Sequence, residues 1–404
     1  MLLTVQAQTN QLLSLQEEIA SPVKSADLCI IGDGAQALAA GCMLAGENQS
    51  LRVLLPKSDK PAGKNSAAPA SKANMPVRFE MHSRAMNQGP KLGKINFTLI
   101  TDDCEHALRS IESIVVCTPA TEYGAVVRRL APNLRNGQNV YLVNAPLAGG
   151  LQFANCVESI DPELQLTILE LGSMFDDAQI VQSAEGAQSL LITGTREKVS
   201  VCGNSRNETR RGLDNASTLS EELVPTSNLV ERGLCDIERI LRPTLLLFAL
   251  LGARGRDLDC ISDIINPSLT TMITALEGEI QALSKAFKCV SHSFLETLTD
   301  FAGTCFEDAD CLDQALIVFG RNLFAQKTLT VAAATSMLKQ DVTESLVLLS
   351  ELARLSRIPT PVVNSVIDLA AATTRTDLRK QGRSLTDVGL LGFDVTEIVE
   401  LVNA

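Results

Sequence analysis

Residues 27–37 read DLCIIGDGAQA, and this stretch decides the fold. Its first part, 27–31, is a short apolar run of the kind that forms a buried parallel strand, and glycines follow it directly. An alanine-rich stretch of helix formers covers 35–45, and LRVLL at 51–55 is a second apolar run. Strand, helix and strand in close succession predict a βαβ unit, from which doubly wound parallel sheets are built.

The turn between the first strand and the helix matches G-x-G-x-x-A, a form of the dinucleotide-binding fingerprint with alanine in place of the third glycine. Gly32 allows the tight turn, Gly34 lets a pyrophosphate approach the backbone, and the small Ala37 lets helix and strand pack closely. The helix N-terminus adds N–H groups and a partial positive charge. The motif predicts a dinucleotide site at Gly32, Gly34, Ala35 and Ala37, with an ordinary tight turn as the alternative.

The end of the second strand bears on the choice of coenzyme. An NAD-specific site places Asp or Glu about 20 residues beyond the first glycine, where it binds the ribose 2′-hydroxyl. This chain instead has Lys57 and Ser58 at that place, and Asp59 comes later. Because a lysine and a serine suit a 2′-phosphate, the sequence favours NADP over NAD; the alternative is that these are solvated loop residues.

Two further turns follow predicted strands at 111–117 and 140–143. Ligands of doubly wound sheets bind outside the carboxyl ends of the strands. We therefore expect Thr118 and Pro119 in the first turn, and Asn144 in the second, to meet the nicotinamide half of the coenzyme. Ordinary turn chemistry is the alternative for each of these residues.

The rest of the chain divides into two parts. More strands are predicted at 77–81, 95–100, 165–169, 189–193 and 199–202, with a helix at 122–130 and a polar connection from Gly203 to Asn215. From about Ser217 the apolar period changes from 2 to 3.6. The predicted class is α/β, a Rossmann-type doubly wound sheet followed by an all-helical C-terminal domain, with the active site in the cleft between them.

The predicted boundaries are a polar N-terminal tail at 1–25, a dinucleotide-binding domain at 26–215 and a helical substrate domain at 216–404. A segment rich in Ala, Ser, Pro and Lys at 59–76 reads as a flexible insertion.

Composition excludes several classes of protein. The 35 Lys and Arg against 47 Asp and Glu give a net charge of −12, which argues against a nucleic-acid binder. The densest apolar run, 243–253, falls well short of the roughly 20 residues of a membrane span. Eleven cysteines without C-x-x-C, and three histidines not spaced for zinc, predict reduced thiols and no metal site. Because the first residues lack the pattern of a secretory signal, we expect a cytoplasmic protein.

Several motifs in order along 27–392 resemble those of the octopine/nopaline-type opine dehydrogenases. Beyond the fingerprint, they are VVCTP at 115–119, NAPLAGG at 144–150, QDV at 340–342, IPTP at 358–361, IDL at 367–369, GRSL at 382–385 and GL at 389–390. Members of this family reduce the imine between an amino acid and a 2-oxo acid with NAD(P)H. The resemblance implies that reaction here, with an amino acid and a 2-oxo acid as small-molecule partners.

The resemblance also points to two candidate catalytic residues. In the family a His-Pro pair opens the helical domain, and its histidine acts with a later aspartate as proton donor. Asp341 matches the aspartate, whereas Arg242 of Leu241-Arg-Pro243 falls on the histidine position. A guanidinium keeps its proton at any useful pH, so Arg242 could clamp a substrate carboxylate or polarise a carbonyl, but not act as an acid.

Structural roles are the alternatives for these residues. Arg242 could be a surface or interdomain salt-bridge residue, and Asp341 could be the N-cap of a D-x-x-E capping box with Glu344. Glu279 lies where the family has an Asp-x-Glu-Arg stretch.

Three functions stay open at this point: an opine-type enzyme, a pseudoenzyme that binds NADP(H) as a sensor or partner protein, and a ketopantoate-reductase-like enzyme. The last is disfavoured because such enzymes use a lysine where residues 238–242 offer only arginines. The Leu-rich segment 245–251 suits a core or an interface equally, which leaves a homodimer open.

Overall fold

The computed structural model describes residues 28–45, 50–56, 72–83, 89–182, 188–196, 198–216, 222–253, 255–258, 261–302, 311–322 and 329–404. The predicted N-terminal tail, and the predicted insertion up to residue 71, lie outside these residues. The chain forms two compact units. The sheet unit comprises the chain up to Ala145 with Phe153–Gly203 and Asn207–Pro225; the helical unit comprises Pro146–Gln152, Asn204–Arg206 and Thr226–Ala404.

The sheet unit contains eleven described strands. They are β1 Leu28–Ile31, β2 Ser50–Leu54, β3 Lys72–Ser83, β4 Lys91–Thr101, β5 Ser113–Val116, β6 Asn139–Leu142, β7 Thr167–Leu171, β8 Asp177–Gln182, β9 Gln188–Thr195, β10 Lys198–Gly203 and β11 Glu222–Pro225. Their order in the sheet is β11-β10-β7-β6-β5-β1-β2-β4-β3-β9-β8. The strand β3 begins at Lys72, so the last part of the predicted insertion is sheet.

Six central strands, β4-β2-β1-β5-β6-β7, run parallel and follow the strand order typical of a dinucleotide-binding fold. The strands β10 and β11 extend one edge, and β3, β9 and β8 extend the other in mixed orientation. The strand order reverses between β1 and β5, which is the switch point where such sheets bind ligands. The predicted doubly wound sheet is confirmed, and β8 and β11 are additions that the sequence did not predict.

Both faces of the central strands are covered, which explains their continuous apolar runs. Leu28 and Ile30 of β1 pack into one buried cluster together with Val115 of β5. The alternate residues Cys29 and Ile31 pack into the cluster on the opposite face. All of these side chains are almost fully buried, so the centre of the sheet is a rigid base for the loops that leave its edge.

Five helices accompany the strands: α1 Gly34–Leu44, α2 Cys104–Leu108, α3 Tyr123–Leu130, α4 Gly149–Glu158 and α5 Arg206–Asn215. The helix α5 corrects the predicted polar connection from Gly203 to Asn215. Its buried polar side chains satisfy backbone groups, because Glu208 accepts the Ile168 N–H at 2.7 Å and Thr209 Oγ1 accepts the Gly203 N–H at 2.8 Å. The segment is polar yet helical since hydrogen bonds fix its inner side.

The helical unit contains α6 Leu229–Leu234, α7 Ile237–Gly252, α8 Pro267–Ala286, α9 Phe294–Ala302, α10 Leu312–Asn322, α11 Val331–Asp341, α12 Val347–Leu355, α13 Pro361–Thr374, α14 Leu378–Gln381 and α15 Val395–Asn403. A π-helical turn, Val342–Leu346, joins α11 to α12 without a break. The predicted all-helical second half is confirmed, although β11 lies within the stretch expected to be helical. No helix in the described ranges is long and apolar enough to span a membrane.

Candidate functional site

The fingerprint turn has the backbone that its glycines predict. Gly32 has φ +148° and Gly34 has φ +74°, conformations that a residue with a Cβ rarely adopts. A Cβ on Gly32 would lie 3.2 Å from the Cβ of Ala37 and 3.3 Å from that of Cys117. The Gly32 N–H donates to the Leu54 carbonyl at 3.1 Å, which ties the turn to the end of β2. The turn is therefore held tightly against both neighbouring strands.

The helix α1 begins at Gly34, directly above the turn. Asp33 occupies the N-cap position with extended backbone, but its side chain makes no capping hydrogen bond, and the first turn of α1 contains no acidic residue. Burial raises the pKa of Asp33, which favours its neutral form more than in water. The positive end of the helix dipole is thus not neutralised by a cap, an arrangement suited to an anionic ligand.

The turns after β5 and β6 lie beside the fingerprint. The Cys117 N–H donates to Ile31 O at 2.9 Å, and the Val143 N–H donates to Val116 O at 3.0 Å, so the loops leave neighbouring strand ends. Thr118 Oγ1 is shielded from solvent and has no hydrogen-bond partner among the described residues. Pro119 is exposed beside it, and Asn144 follows with φ +50°. The structure thus places Thr118, Pro119 and Asn144 at the edge where Gly32 turns.

Two of the predicted coenzyme-binding residues, Lys57 and Ser58, lie outside the described residues. The end of β2 itself is described, and an arginine from α3 reaches it. Arg129 donates from Nη1 to Leu55 O and from Nη2 to Asp102 O, both at 2.6 Å. Arg129 could not be identified from the sequence, because nothing local to α3 reveals that its side chain ends beside β2 and β4.

In the helical unit, Arg242 and Asp341 form a bidentate salt bridge. Arg242 Nε donates to Asp341 Oδ2 at 2.8 Å and Nη2 donates to Oδ1 at 2.7 Å. The side chains are 15% and 2% exposed, so the pair is largely buried. The alternative for Arg242, a surface or interdomain salt-bridge residue, is confirmed as to the salt bridge, but the pair is largely buried and both partners belong to the helical unit. The fork that could clamp a substrate carboxylate is occupied by Asp341. The structure does bring the two candidate catalytic residues together.

The alternative reading of Asp341 as a helix N-cap was wrong. Asp341 is the last residue of α11, has helical backbone angles and makes no capping hydrogen bond to the following turn. The chain continues as a π-helical turn and then as α12, so no helix begins there. A capping box needs an extended N-cap residue, and here the backbone never leaves the helical region.

A second ion pair lies next to the first. Arg239 Nη1 lies 2.6 Å from Glu344 Oε2 and Arg239 Nε lies 3.4 Å from an oxygen of Asp236, while Glu238 lies 3.5 Å from Arg242. Burial disfavours a charge on Arg242, but the carboxylates around it, Asp341 foremost, outweigh burial and raise the pKa of its guanidinium. Burial raises the pKa of Asp341, and Arg242 opposes that shift without cancelling it. Arg242 therefore carries a permanent positive charge.

Glu279 has a structural role. Its carboxylate accepts the N–H groups of Val362 at 2.6 Å and Val363 at 3.0 Å, the first turn of α13. Burial raises the pKa of Glu279, and these two hydrogen bonds oppose the shift. The side chain satisfies two of the N–H groups that every helix N-terminus leaves unpaired.

Two buried arginines hold the segment that follows Asn144. Arg383, 2% exposed, donates to the carbonyls of Leu147 at 2.6 Å and Ala148 at 3.0 Å, and also to the Glu344 carbonyl at 2.8 Å. Arg232 donates to Pro146 O at 3.0 Å. The sequence contained one signal for this contact, since Arg383 lies in the GRSL motif. Its target could not be read from the motif.

Among the described residues, no group of three or more His, Cys, Asp or Glu side chains could hold a metal ion. The described cysteines are free, and Cys29, Cys42 and Cys202 are buried. Burial raises the pKa of Cys117, beside the fingerprint, to about 12, so this thiol is not a nucleophile near neutral pH.

The chain is similar to known proteins in both sequence and fold. Residues 225–374 match the family model described as NAD/NADP octopine/nopaline dehydrogenase, alpha-helical domain. An opine dehydrogenase of Arthrobacter sp. (strain 1C) is 24% identical over 318 residues, covering 77% of this chain and 84% of that protein. The matched residues from Thr226 onward lie within the helical unit, and the resemblance to this family predicted from the sequence is confirmed.

Solved structures share the fold at low identity. An octopine dehydrogenase in complex with NADH and agmatine has a TM-score of 0.68 at 14% identity, over 93% of this chain and 98% of its own. An NADP⁺-bound yersinopine dehydrogenase has a TM-score of 0.59 at 14% identity, over 93% and 97%. A ketopantoate reductase from Ralstonia eutropha JMP134 has a TM-score of 0.52 at 12% identity, over 86% and 98%.

Proposed function

We propose that this protein is an NADP(H)-dependent oxidoreductase of the opine dehydrogenase type, which condenses an amino acid with a 2-oxo acid and reduces the resulting imine. The observation that carries the proposal is the combination, in one chain, of a fingerprint turn at a sheet switch point and a helical domain of the octopine/nopaline dehydrogenase type. The Arthrobacter relative is itself named for this activity.

The residues of the sheet unit fit a dinucleotide. Because Gly34 has no side chain, a pyrophosphate could approach the backbone at the start of α1, and the Asp33 side chain makes no capping hydrogen bond there. The buried hydroxyl of Thr118 has no hydrogen-bond partner in the part of the chain that the structure describes, so it could bond a polar group of the coenzyme at the adjacent turn. Bound NADPH would supply the hydride, while these residues would hold and orient the coenzyme.

The preference for NADP over NAD is supported by the end of β2. Leu55 and Pro56 follow β2, after which an NAD-specific site has an acidic residue that binds the ribose 2′-hydroxyl. In this sequence Lys57 and Ser58 come next instead. Arg129 adds a guanidinium at the Leu55 carbonyl. Positive charge at this place favours a 2′-phosphate over a 2′-hydroxyl.

The Arg242–Asp341 pair determines which proton chemistry the helical unit can supply. Asp341 occupies the Arg242 fork and Glu238 lies 3.5 Å away, so any effect of this fixed positive charge on a substrate carboxylate or a developing oxyanion would be electrostatic and not a direct clamp. It cannot give up a proton, because Asp341 and its neighbours hold the guanidinium in its charged form. Protonation during condensation must then come from a group other than Arg242, for which the substrate ammonium group and water are candidates. A catalytic histidine would make the turnover rate change with pH around 6.5, and we expect the turnover of this protein to lack that change.

The same salt bridge favours a second candidate, a pseudoenzyme that binds NADP(H) as a sensor or partner protein. In that case the buried pair stabilises the helical unit and takes no part in a reaction. The two candidates differ in turnover and not in coenzyme binding.

The deciding experiment titrates the purified full chain with NADPH and NADH by nucleotide fluorescence and then screens amino acids against 2-oxo acids. Coenzyme oxidation that requires both substrates and yields one secondary amine per NADPH supports the enzyme. NADPH binding without turnover over the whole panel, at several pH values, favours the pseudoenzyme. Gain of turnover in Arg242→His would then identify a lost acid. If neither coenzyme binds, both candidates fail.

A further inference from the structure

The end of β2 is joined to the fingerprint through backbone contacts. Gly32 donates its N–H to Leu54 O at 3.1 Å, and the next residue, Leu55, donates its N–H to Thr101 O at 2.9 Å. The carboxyl ends of β2 and β4 therefore lie side by side, next to the glycine turn. In this fold that edge receives the adenosine ribose of the coenzyme.

Arg129 lies at this edge although it belongs to α3. Its Nη1 donates to Leu55 O and its Nη2 to Asp102 O, so one guanidinium bridges the ends of β2 and β4. Two neutral carbonyls fix its position from two sides. The side chain is half-buried, so its location is set by the fold and not by chance at the surface.

The charge of Arg129 has no anionic partner in the part of the chain that the structure describes. Both of its hydrogen bonds go to backbone carbonyls, and the nearby Asp103 carboxylate instead accepts the N–H groups of Glu105 and His106. Half-buried charges are usually paired, because removing them from water costs free energy that an opposite charge offsets. The positive charge of Arg129 is therefore not balanced by a carboxylate of the described residues.

The guanidinium also retains unused donors. Of its five N–H groups, two are used by the carbonyls, and the buried Nε has no partner among the described residues. Planar donors of this kind match the oxygens of a phosphate in paired hydrogen bonds.

We propose that Arg129 recognises the 2′-phosphate of NADP(H) and determines the preference for NADP over NAD. The inference rests on the proposed function, because it assigns a residue to the same coenzyme site. A 2′-phosphate would supply the negative charge that pairs with the Arg129 guanidinium, whereas NAD has only a neutral hydroxyl at this position. Arg129 thus acts as a specificity-determining residue that reaches the ribose site from α3, 74 residues from Leu55 in the chain.

The test compares Arg129→Gln with Arg128→Gln in the full-length protein. Arg128 is the exposed neighbour on α3, so its substitution makes the same change in net charge without touching the strand ends. Calorimetric titrations use NADPH and NADH, and also adenosine 2′,5′-bisphosphate and 5′-AMP, which isolate the 2′-phosphate. Thermal melts show whether each variant is folded.

We expect Arg129→Gln to weaken NADPH and adenosine 2′,5′-bisphosphate by about 10- to 100-fold, which is the range for one or two hydrogen bonds to a charged group. NADH and 5′-AMP should stay within about threefold of the unaltered protein, and Arg128→Gln should bind all four ligands normally. If Arg129→Gln does not fold, Arg129→Lys takes its place. Loss of the planar fork should then lower the NADPH-to-NADH affinity ratio by at least about threefold.

An equal loss for phosphorylated and unphosphorylated ligands would show that Arg129 only braces the strand ends, and it would overturn the proposal. An unchanged ratio in the folded variant would do the same, and in both cases the proposed function stands. If the unaltered protein binds neither coenzyme, the proposed function fails and this inference fails with it.

Discussion

The Arg242–Asp341 salt bridge gives the sharpest prediction for stability. We consider Arg242→Met, Asp341→Asn and the double variant Arg242→Met/Asp341→Leu. Breaking a buried pair by removing one partner costs about 3–5 kcal/mol, whereas replacing both with apolar residues is often close to neutral. The double variant should therefore be markedly more stable than the sum of the two single losses, which amounts to about 6–10 kcal/mol.

The structure orders the two single variants. Asp341 is 2% exposed and loses both of its short hydrogen bonds when Arg242 is removed. Arg242 is 15% exposed and keeps Glu238 at 3.5 Å when Asp341 is neutralised. An unpaired carboxylate at the more buried position is the worse defect, so Arg242→Met should be the less stable variant. At about 2–4 °C per kcal/mol for a unit of this size, the melting temperature should fall by roughly 6–20 °C.

The pH dependence separates the two variants further. Burial already raises the pKa of Asp341, and removing Arg242 takes away the charge that opposes this shift. A group whose pKa is raised in the folded state contributes stability at low pH and loses it as the pH rises through the folded pKa. The cost of Arg242→Met should therefore be larger at pH 8 than at pH 5. Asp341→Asn leaves an arginine that stays charged throughout, so its cost should change little.

The assay is urea unfolding followed by far-UV circular dichroism at both pH values, with Arg354→Met, an exposed arginine on α12, as control. Additive losses in the double variant, or a greater loss from Asp341→Asn than from Arg242→Met, would refute the reasoning. Equal costs of Arg242→Met at pH 5 and pH 8 would show that the Asp341 carboxyl does not titrate as burial requires.

Three further outcomes are expected. Gly34→Ala should abolish NADPH binding in a fluorescence titration, because a residue with a Cβ is disfavoured at φ +74° by about 1–2 kcal/mol and the new methyl group would meet the pyrophosphate. The control Gly137→Ala, also at positive φ (+85°) but in open space, should bind NADPH normally. Cys117, whose pKa burial raises to about 12, should react far more slowly with a thiol reagent at pH 8 in the folded protein than the exposed Cys311, because burial disfavours its thiolate form. Equally fast modification of both thiols would contradict this. Glu279→Gln should destabilise the helical unit by about 1–3 kcal/mol in urea unfolding, because the amide oxygen can replace only one of the two carboxylate oxygens that accept N–H groups at the start of α13. An unchanged unfolding midpoint would rule out that capping role.

The central sheet could be predicted from the sequence because its signals are local. The apolar run before Gly32 and the small residues after it specify strand, turn and helix without reference to the rest of the chain. The strand β8, Asp177–Gln182, has polar residues on both faces and is a strand because it pairs with β9 at the sheet edge. A strand that depends on pairing leaves little trace in its own residues.

For the candidate site, the sequence offered the residues but not their geometry. The family resemblance matched Arg242 and Asp341 to the positions of the family's histidine and aspartate. These two residues are 99 positions apart in the chain, and no local pattern shows that they form an ion pair. The D-x-x-E pattern at Asp341 was misleading because capping boxes and helix interiors can share the same letters. Arg129 was invisible for the same reason as the salt bridge, since its partners are backbone carbonyls far away in the sequence.

The π-helical turn at Val342–Leu346 has a consequence for how this chain tolerates length changes. A turn of this kind contains one residue more than the α-helix around it needs, and each helical residue advances the side chains by about 100°. Deleting Val342 or Thr343 would keep the helix continuous but would turn Glu344 and everything beyond it around the axis relative to Asp341. The two acidic partners could then no longer face Arg239 and Arg242 together. The extra residue of the π-helical turn therefore sets the alignment of both charged pairs. Its deletion would misalign them although all four charged side chains would remain in the sequence.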